Sequence, residues 1–258
     1  MDKSIPYSPS RLDSTLFFKN SLPKYLDKAN NVADIGCGRL FFLNFLKSTK
    51  FRGKYFGIDI KTTPVLSRTK FKATTVNADF LKYPLRRKFD IAACLWVLEH
   101  IKKDDEAIHK ISQILKPDGV LILAVPSIWS WPFEFGRHGY HYYSLNNLKR
   151  LISQNGLMIL ESHSCAGSTG FIFMIIYNWL RYFLLVPALI IYRIAKVFHM
   201  TNISWQDFSV KLISSTLYYY HRSKTGVLIH NKIIESILKL DAKIKLFPAS
   251  YILIVQKK

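Results

Sequence analysis

The chain has 258 residues, enough for one large α/β domain or a domain carrying an insertion, and 49% of them are apolar, ample for a buried core. Its three cysteines, Cys37, Cys94 and Cys165, lie far apart with no C-x-x-C pair, so they suggest neither a disulfide framework nor a zinc site and fit a reducing compartment. The net charge of +20 favours anionic partners, either nucleic acid or an anionic membrane face; a merely lysine-rich solvated surface is the plainer alternative. The stretch Met1 to Pro6 has no apolar run of the signal-peptide kind, and a cytoplasmic location is expected.

In chain order, Ser10 to Asp27 reads as a leading helix with Leu12, Leu16, Phe17, Leu22 and Leu26 as its apolar positions, split or kinked at Pro23. Asn31 to Ile35 is a short apolar run of the buried parallel-strand type. It runs into Gly36-Cys37-Gly38, where glycine permits a sharp turn and close approach of a ligand to the main chain. Leu40 to Leu46 then reads as a helix. Strand, glycine turn and helix N-terminus together make a nucleotide-type cofactor site. The dinucleotide pattern G-x-G-x-x-G fails, because Phe41 stands at its third glycine. Lys54 to Ile60 is a second strand ending in Asp59, whose carboxylate is suited to accept hydrogen bonds from both hydroxyls of a ribose. The β-branched run Ala73 to Val76 is a third strand, leading into Asp79 and Phe80.

Phe89 to Leu95 is an apolar fourth strand, followed by Trp96 to His100 as a turn. Asp104-Asp105-Glu106 opens a helix with acids at its positive end, and Leu115 to Gly119 is expected to end it. Val120 to Pro126 is a fifth strand. Ser127 to Tyr143 is an aromatic loop that also carries Arg137, His138 and His141, and is expected to wall the acceptor pocket. Ser144 caps a helix over Leu145 to Gln154, and Leu157 to Glu161 is a sixth strand. Phe171 to Tyr192 is almost wholly apolar, 201–245 looks helical and basic, and Phe247 to Val255 is a final strand.

These segments resemble the class I S-adenosylmethionine-dependent methyltransferases, in the broad group that includes the ubiquinone-biosynthesis enzymes. Asp34, Gly36 and Gly38 match the family's D-x-G-x-G-x-G, with Leu40 in place of the last glycine. Phe89-Asp90 with Leu98-Glu99-His100-Ile101, the run Leu115-Lys116-Pro117-Asp118-Gly119, and Tyr142-Tyr143-Ser144-Leu145 match three later patterns. The resemblance implies an α/β Rossmann-like fold. Its seven-stranded sheet has order 3-2-1-4-5-7-6 with the last strand antiparallel. Residues 1–164 and 246–258 would form the methyltransferase domain, with 165–245 as a helical insertion between strands 6 and 7. It implies S-adenosylmethionine as cofactor, held by Asp34, Gly36, Cys37, Gly38, Asp59, Ile60, Asp79, Phe80 and Leu95. Asp79 would bind the adenine amine and Phe80 would pack on the ring. Tyr7 and Arg11 are lid candidates by the same resemblance, though packing and surface charge explain them more simply. The implied reaction is attack of an acceptor nucleophile, O or C, on the cofactor's methyl group. His100, His138 and His141 are candidates for a base. Glu99 and His100 are too few ligands for a metal site, and none is expected.

The acceptor implied is a small molecule, a lipid or a lipid-linked glycan. Topology bears on the apolar insertion. The last strand must return to the sheet, so a single membrane crossing is excluded, and the apolar stretch is too short for two. Attachment to the cytoplasmic face of a membrane and burial against the domain both remain open. Two other functional classes stand beside methyl transfer: a cofactor-binding, membrane-attached protein without turnover, and a nucleic-acid methyltransferase. The second lacks the N/D-P-P-Y/F tetrad of amino-methylating enzymes, and nucleic acid is not the expected partner.

Overall fold

The structure is a computed structural model and describes residues 9–62, 69–133, 139–200, 224–241 and 246–258. The chain divides into two compact units, one of Asp13–Cys165 with Pro248–Lys258, the other within Met1–Leu12 and Ala166–Phe247.

The first unit is built on seven strands: β1 Asn31–Ile35, β2 Lys54–Asp59, β3 Lys72–Asn77, β4 Phe89–Leu95, β5 Leu115–Pro126, β6 Leu157–Cys165 and β7 Ser250–Lys257. They form one sheet of order β3-β2-β1-β4-β5-β7-β6. The pairs from β3 through β5 are parallel, and β7 runs antiparallel to both its neighbours. β1 and β4 are buried along most of their length because both faces of the sheet are covered. One face carries a core that includes Ile108 and Ile111 of α4 (Asp104–Ile114) and Leu148 and Ile152 of α5 (Leu145–Gln154). The other face is covered by α1 (Pro9–Ser21), α2 (Pro23–Leu26) and α3 (Phe41–Lys47), through Phe18, Leu22, Leu26, Phe42 and Phe45. Pro23 ends the leading helix as expected, and Ser144 caps α5 through its hydroxyl, which accepts from the Asn147 amide at 3.2 Å.

Two boundaries differ from the sequence expectation. The stretch Leu115 to Gly119 does not end α4; it belongs to β5. Phe89 pairs with Leu115 and Ile91 with Val120, so Lys116 to Gly119 bulge out of the ladder. Pro117 has no amide to give the ladder, and Asp118 sits at φ 59. β6 also runs on to Cys165, beyond the expected Glu161, because β7 pairs with it as far as Ser250.

The second unit contains α6 (Ser168–Val197) and α7 (Lys224–Asp241). The apolar stretch is thus one helix of 30 residues with Pro187 inside it. The carboxylate of Asp241, buried at the end of α7, accepts from the amides of Thr169 and Gly170 at 2.5 and 2.9 Å. It satisfies the open N–H groups at the start of α6, the work of an N-cap done from 71 residues away. Leu12, Ile234 and Phe173 share a small apolar cluster there. Among the described residues, no helix is long and apolar enough to cross a membrane.

Candidate cofactor site

The glycine loop leaves the C-terminal end of β1 and is clipped to the end of β2. The amides of Gly36 and Cys37 donate to the Ile58 carbonyl at 2.7 and 3.2 Å. The amide of Gly38 donates to Asp59 Oδ2 at 2.9 Å, and Lys61 donates its amide to Oδ1 at 2.8 Å. Each carboxylate oxygen has a second lone-pair site, so Asp59 keeps capacity for a pair of ribose hydroxyls while it fixes the loop.

The two glycines serve different ends. At Gly36, φ is 71 and an added Cβ would stand 2.2 Å from Val97 Cγ2, so the loop is pressed against the turn that follows β4. At Gly38, φ is 38 and an added Cβ would meet nothing nearer than Asp59 Oδ2 at 3.7 Å. Packing therefore does not demand a glycine at position 38. Its backbone angle and the open cradle beside Asp59 do, and such a cradle is what an adenosyl cofactor needs for close approach. Leu40 stands at the place of the family's last glycine and is left-handed, φ 61, with its side chain buried. Burial of the side chain offsets a backbone penalty of roughly 1–2 kcal/mol.

Asp34 lies beneath the loop, not open to the crevice. It is buried and accepts from the Tyr55 hydroxyl at 2.6 Å. Burial raises its carboxyl from the usual 3.8 to about 7; the Tyr55 bond opposes the rise and the Asp59 charge adds to it. Cys37 is buried too, and burial, with Asp34 and Asp59 adding, pushes its thiol up to about 12. Its side chain packs in the core against Gly57 of β2. Ile60, just past β2, is 76% exposed and free to meet a ligand. Leu95 is half-buried at the end of β4.

Asp79 follows β3 on the same edge. Its Oδ1 accepts from the Leu81 amide at 2.9 Å, and its carboxylate remains partly exposed. Phe80, expected to pack on adenine, lies with its ring in the core. It is 6% exposed, sits in the core under α4, and has Lys110 Nζ 5.3 Å over its ring.

Of the three histidines, His138 lies outside the described residues. His100 is exposed in a 3-10 turn, Leu98–His100, just beyond the end of β4. His141 is tied down: its Nε2 lies 3.1 Å from the Lys102 carbonyl oxygen and 3.9 Å from Asp104. Tyr140 and His141 also give their amides to the Glu99 carbonyl. His141 thus braces the aromatic loop against the start of α4. Lid candidate Tyr7 lies outside the described residues; Arg11 is an exposed residue of α1.

Sequence reasoning missed three supporting residues. Tyr55 partners Asp34, and its only signal was its place two residues from Gly57 on one face of β2. Val97 closes on Gly36. Trp96, at φ 55, packs its ring against Phe18 and Phe41, joining the β4 turn to α1 and α3. Asp90, quoted only as part of a pattern, serves at the opposite edge. It accepts from the amides of Asn30 and Asn31 and from Lys116 Nζ, and so ties β1, β4 and the bulge together.

A seven-stranded sheet of this order, with a glycine loop after β1 and acids ending β2 and following β3, defines the class I S-adenosylmethionine-dependent methyltransferases. The comparisons agree. A family profile described as "Methyltransferase domain" matches residues 13–162, more than half the chain, and the chain belongs to that family. The ubiquinone biosynthesis O-methyltransferase of Pseudoalteromonas translucida is 27% identical over 118 residues, which are 43% of this chain and 47% of that protein. The chain thus matches about half the length of that curated relative. Two solved structures share the fold. The Haemonchus contortus phosphoethanolamine N-methyltransferase 2, in complex with S-adenosyl-L-methionine, has a TM-score of 0.54 at 16% identity, covering 97% of this chain and 53% of its own. A SAM-dependent methyltransferase from Archaeoglobus fulgidus has a TM-score of 0.50 at 18% identity, covering 95% and 93%.

Proposed function

We propose that the protein methylates an oxygen, or an acidic carbon, of a small apolar acceptor at the cytoplasmic face of a membrane. The observation that carries this reading is a stripe along α6. Ile176, Phe183, Val186, Ile190, Ile194 and Val197 are all exposed and recur at steps of three, four or seven. That spacing puts them on one face of a helix. Arg193 and Lys196 flank its end, and the chain's charge of +20 complements an anionic lipid surface. The similarity to a ubiquinone biosynthesis O-methyltransferase supports oxygen as the atom methylated.

Bound S-adenosylmethionine supplies an activated methyl group. The chain's own residues bind and align. Asp59 takes the ribose hydroxyls, Asp79 the adenine amine, and Gly38 leaves room for the adenosyl group. Binding of this kind holds donor and acceptor in line, which is most of what the reaction asks of a protein. His100, exposed beyond β4, takes the proton from the acceptor as its oxygen attacks; His141 has its ring engaged by Lys102.

The test joins flotation to product analysis. Vesicles of phosphatidylglycerol and phosphatidylcholine should carry the protein upward at low salt, and less of it at high salt. The triple substitution Phe183→Ser, Ile190→Ser, Ile194→Ser should leave it at the bottom. With methyl-labelled cofactor and a bacterial lipid extract, label should enter the organic phase. A protein that ignores anionic vesicles at low salt, with label entering only water-soluble products, would overturn the reading.

A further inference from the structure

We infer that Asp13, His163 and Cys165 form a divalent transition-metal site of the zinc type that fastens helix α1 to the end of strand β6. The three side chains each bring one ligand atom, and these atoms all lie within 4.8 Å of one another. His163 and Cys165 are two residues apart on β6, so the pleat sends both to one face. Asp13 comes from α1, and its Oδ1 is 2.8 Å from His163 Nε2. Phe17, one turn along α1, stacks on the imidazole at 4.7 Å and 18°, which sets the ring's plane. Cys165 is fully buried, while Asp13 and His163 keep about a fifth of their side-chain surface exposed, so an ion can reach the cluster from solvent.

The donor set selects the ion. Thiolate, imidazole and carboxylate together suit zinc, cobalt or iron(II), and not magnesium or calcium. Bonds of about 2.0–2.3 Å in tetrahedral geometry place ligand atoms roughly 3.3–3.6 Å apart. The present spacing brackets that range, so small side-chain rotations suffice. Coordination takes the thiol proton, which passes to solvent. Three protein ligands leave a fourth position for water. Sequence spacing could not show the site, because Asp13 and His163 are 150 residues apart. A His–Asp pair beside a packed cysteine is the competing account, and the two differ in what they do with a metal.

The whole chain, purified and stripped with chelator, is titrated with Co2+ in the absence of any cofactor. A thiolate-to-cobalt absorption band in the near ultraviolet and a stoichiometry of one are expected, with Zn2+ displacing the colour. Cys165→Ser should lose the ultraviolet band. His163→Gln, which leaves the buried thiol in place, should weaken binding at least tenfold. Zn2+ should raise the melting temperature of the wild type and not of His163→Gln. Absence of the band in a folded wild type, or the same binding in His163→Gln as in wild type, would reduce the cluster to a His–Asp pair over a packed cysteine.

Discussion

Replacing each loop glycine with alanine separates the glycine that packs from the glycine proposed to line the cofactor site. At Gly36 the new methyl would lie 2.2, 2.5 and 2.8 Å from three carbons of Val97. Those carbons belong to a stiff, β-branched side chain, so the loop or the β4 turn must move. Overpacking of this kind costs about 1–3 kcal/mol, and the left-handed φ of 71 adds about 1–2 kcal/mol. The expected loss is roughly 2–5 kcal/mol, a large part of the stability of an ordinary domain. At Gly38 the new methyl meets only ordinary contacts at 3.7 and 3.9 Å, so the cost is the backbone term alone, about 1–2 kcal/mol. That corresponds to a melting shift of only a few degrees, ~2–4 °C per kcal/mol for a chain of this size. Yet this methyl stands in the open cradle beside Asp59. Gly38→Ala should therefore fold and lose at least tenfold in affinity for S-adenosylhomocysteine, ~1.4 kcal/mol. Calorimetric titration alongside thermal unfolding reads both numbers. A Gly38→Ala protein that binds like wild type, or a Gly36→Ala protein as stable as wild type, would refute the division of labour.

Three other substitutions test the supporting structure. Asp34 holds a proton in the folded state up to about pH 7 that the unfolded chain releases near 3.8, so cofactor-free stability should fall as pH rises through that window. The full effect is on the order of 4 kcal/mol, and Asp34→Asn should flatten it; urea unfolding at pH 5 and pH 8 with the same slope in both proteins would contradict the buried acid. Leu40→Gly relieves a left-handed backbone but empties a buried site, so the net change should be a loss of about 1–3 kcal/mol, and a gain in denaturant midpoint would show that strain outweighs packing. Asp241→Ala leaves the amides of Thr169 and Gly170 without their acceptor, at about 1–3 kcal/mol; hydrogen exchange should quicken at the start of α6, and unchanged protection there would mean that another group caps the helix.

Local order was legible where it had a local cause. The run from Asn31 to Gly38 declares a strand and a tight turn, and Asp59 and Asp79 follow strands whose apolar or β-branched residues are plain. The place of β7 between β5 and β6 came from the family resemblance, and the ladder bears it out. What sequence did not show depends on contacts between distant residues. Nothing in Asp34 names Tyr55 as its partner, and nothing in Gly36 names Val97. Phe80 sits where the family's ring-packing residue would, but the side of the chain to which its ring turns is decided by α4. The bulge at Lys116 to Gly119 looked like a helix stop because proline and glycine punctuate both.

The position of β7 also sets a clock. It is an interior strand, yet it leaves the ribosome 85 residues after β6, with α6 and α7 made in between. At about 5–20 residues per second, the nascent chain waits roughly 4–17 seconds with the ladders of β5 and β6 unfilled. Two unpaired strand edges, one of them the apolar run Val120–Val125 of β5, are then exposed together, the kind of surface that pairs with a neighbouring chain. During that interval the unfilled edges offer the surface that a holdase chaperone would cover, and slow codons between β6 and β7 would lengthen their exposure. Production in cells short of such chaperones should yield aggregates long before any of the contacts in the cofactor site has been tested.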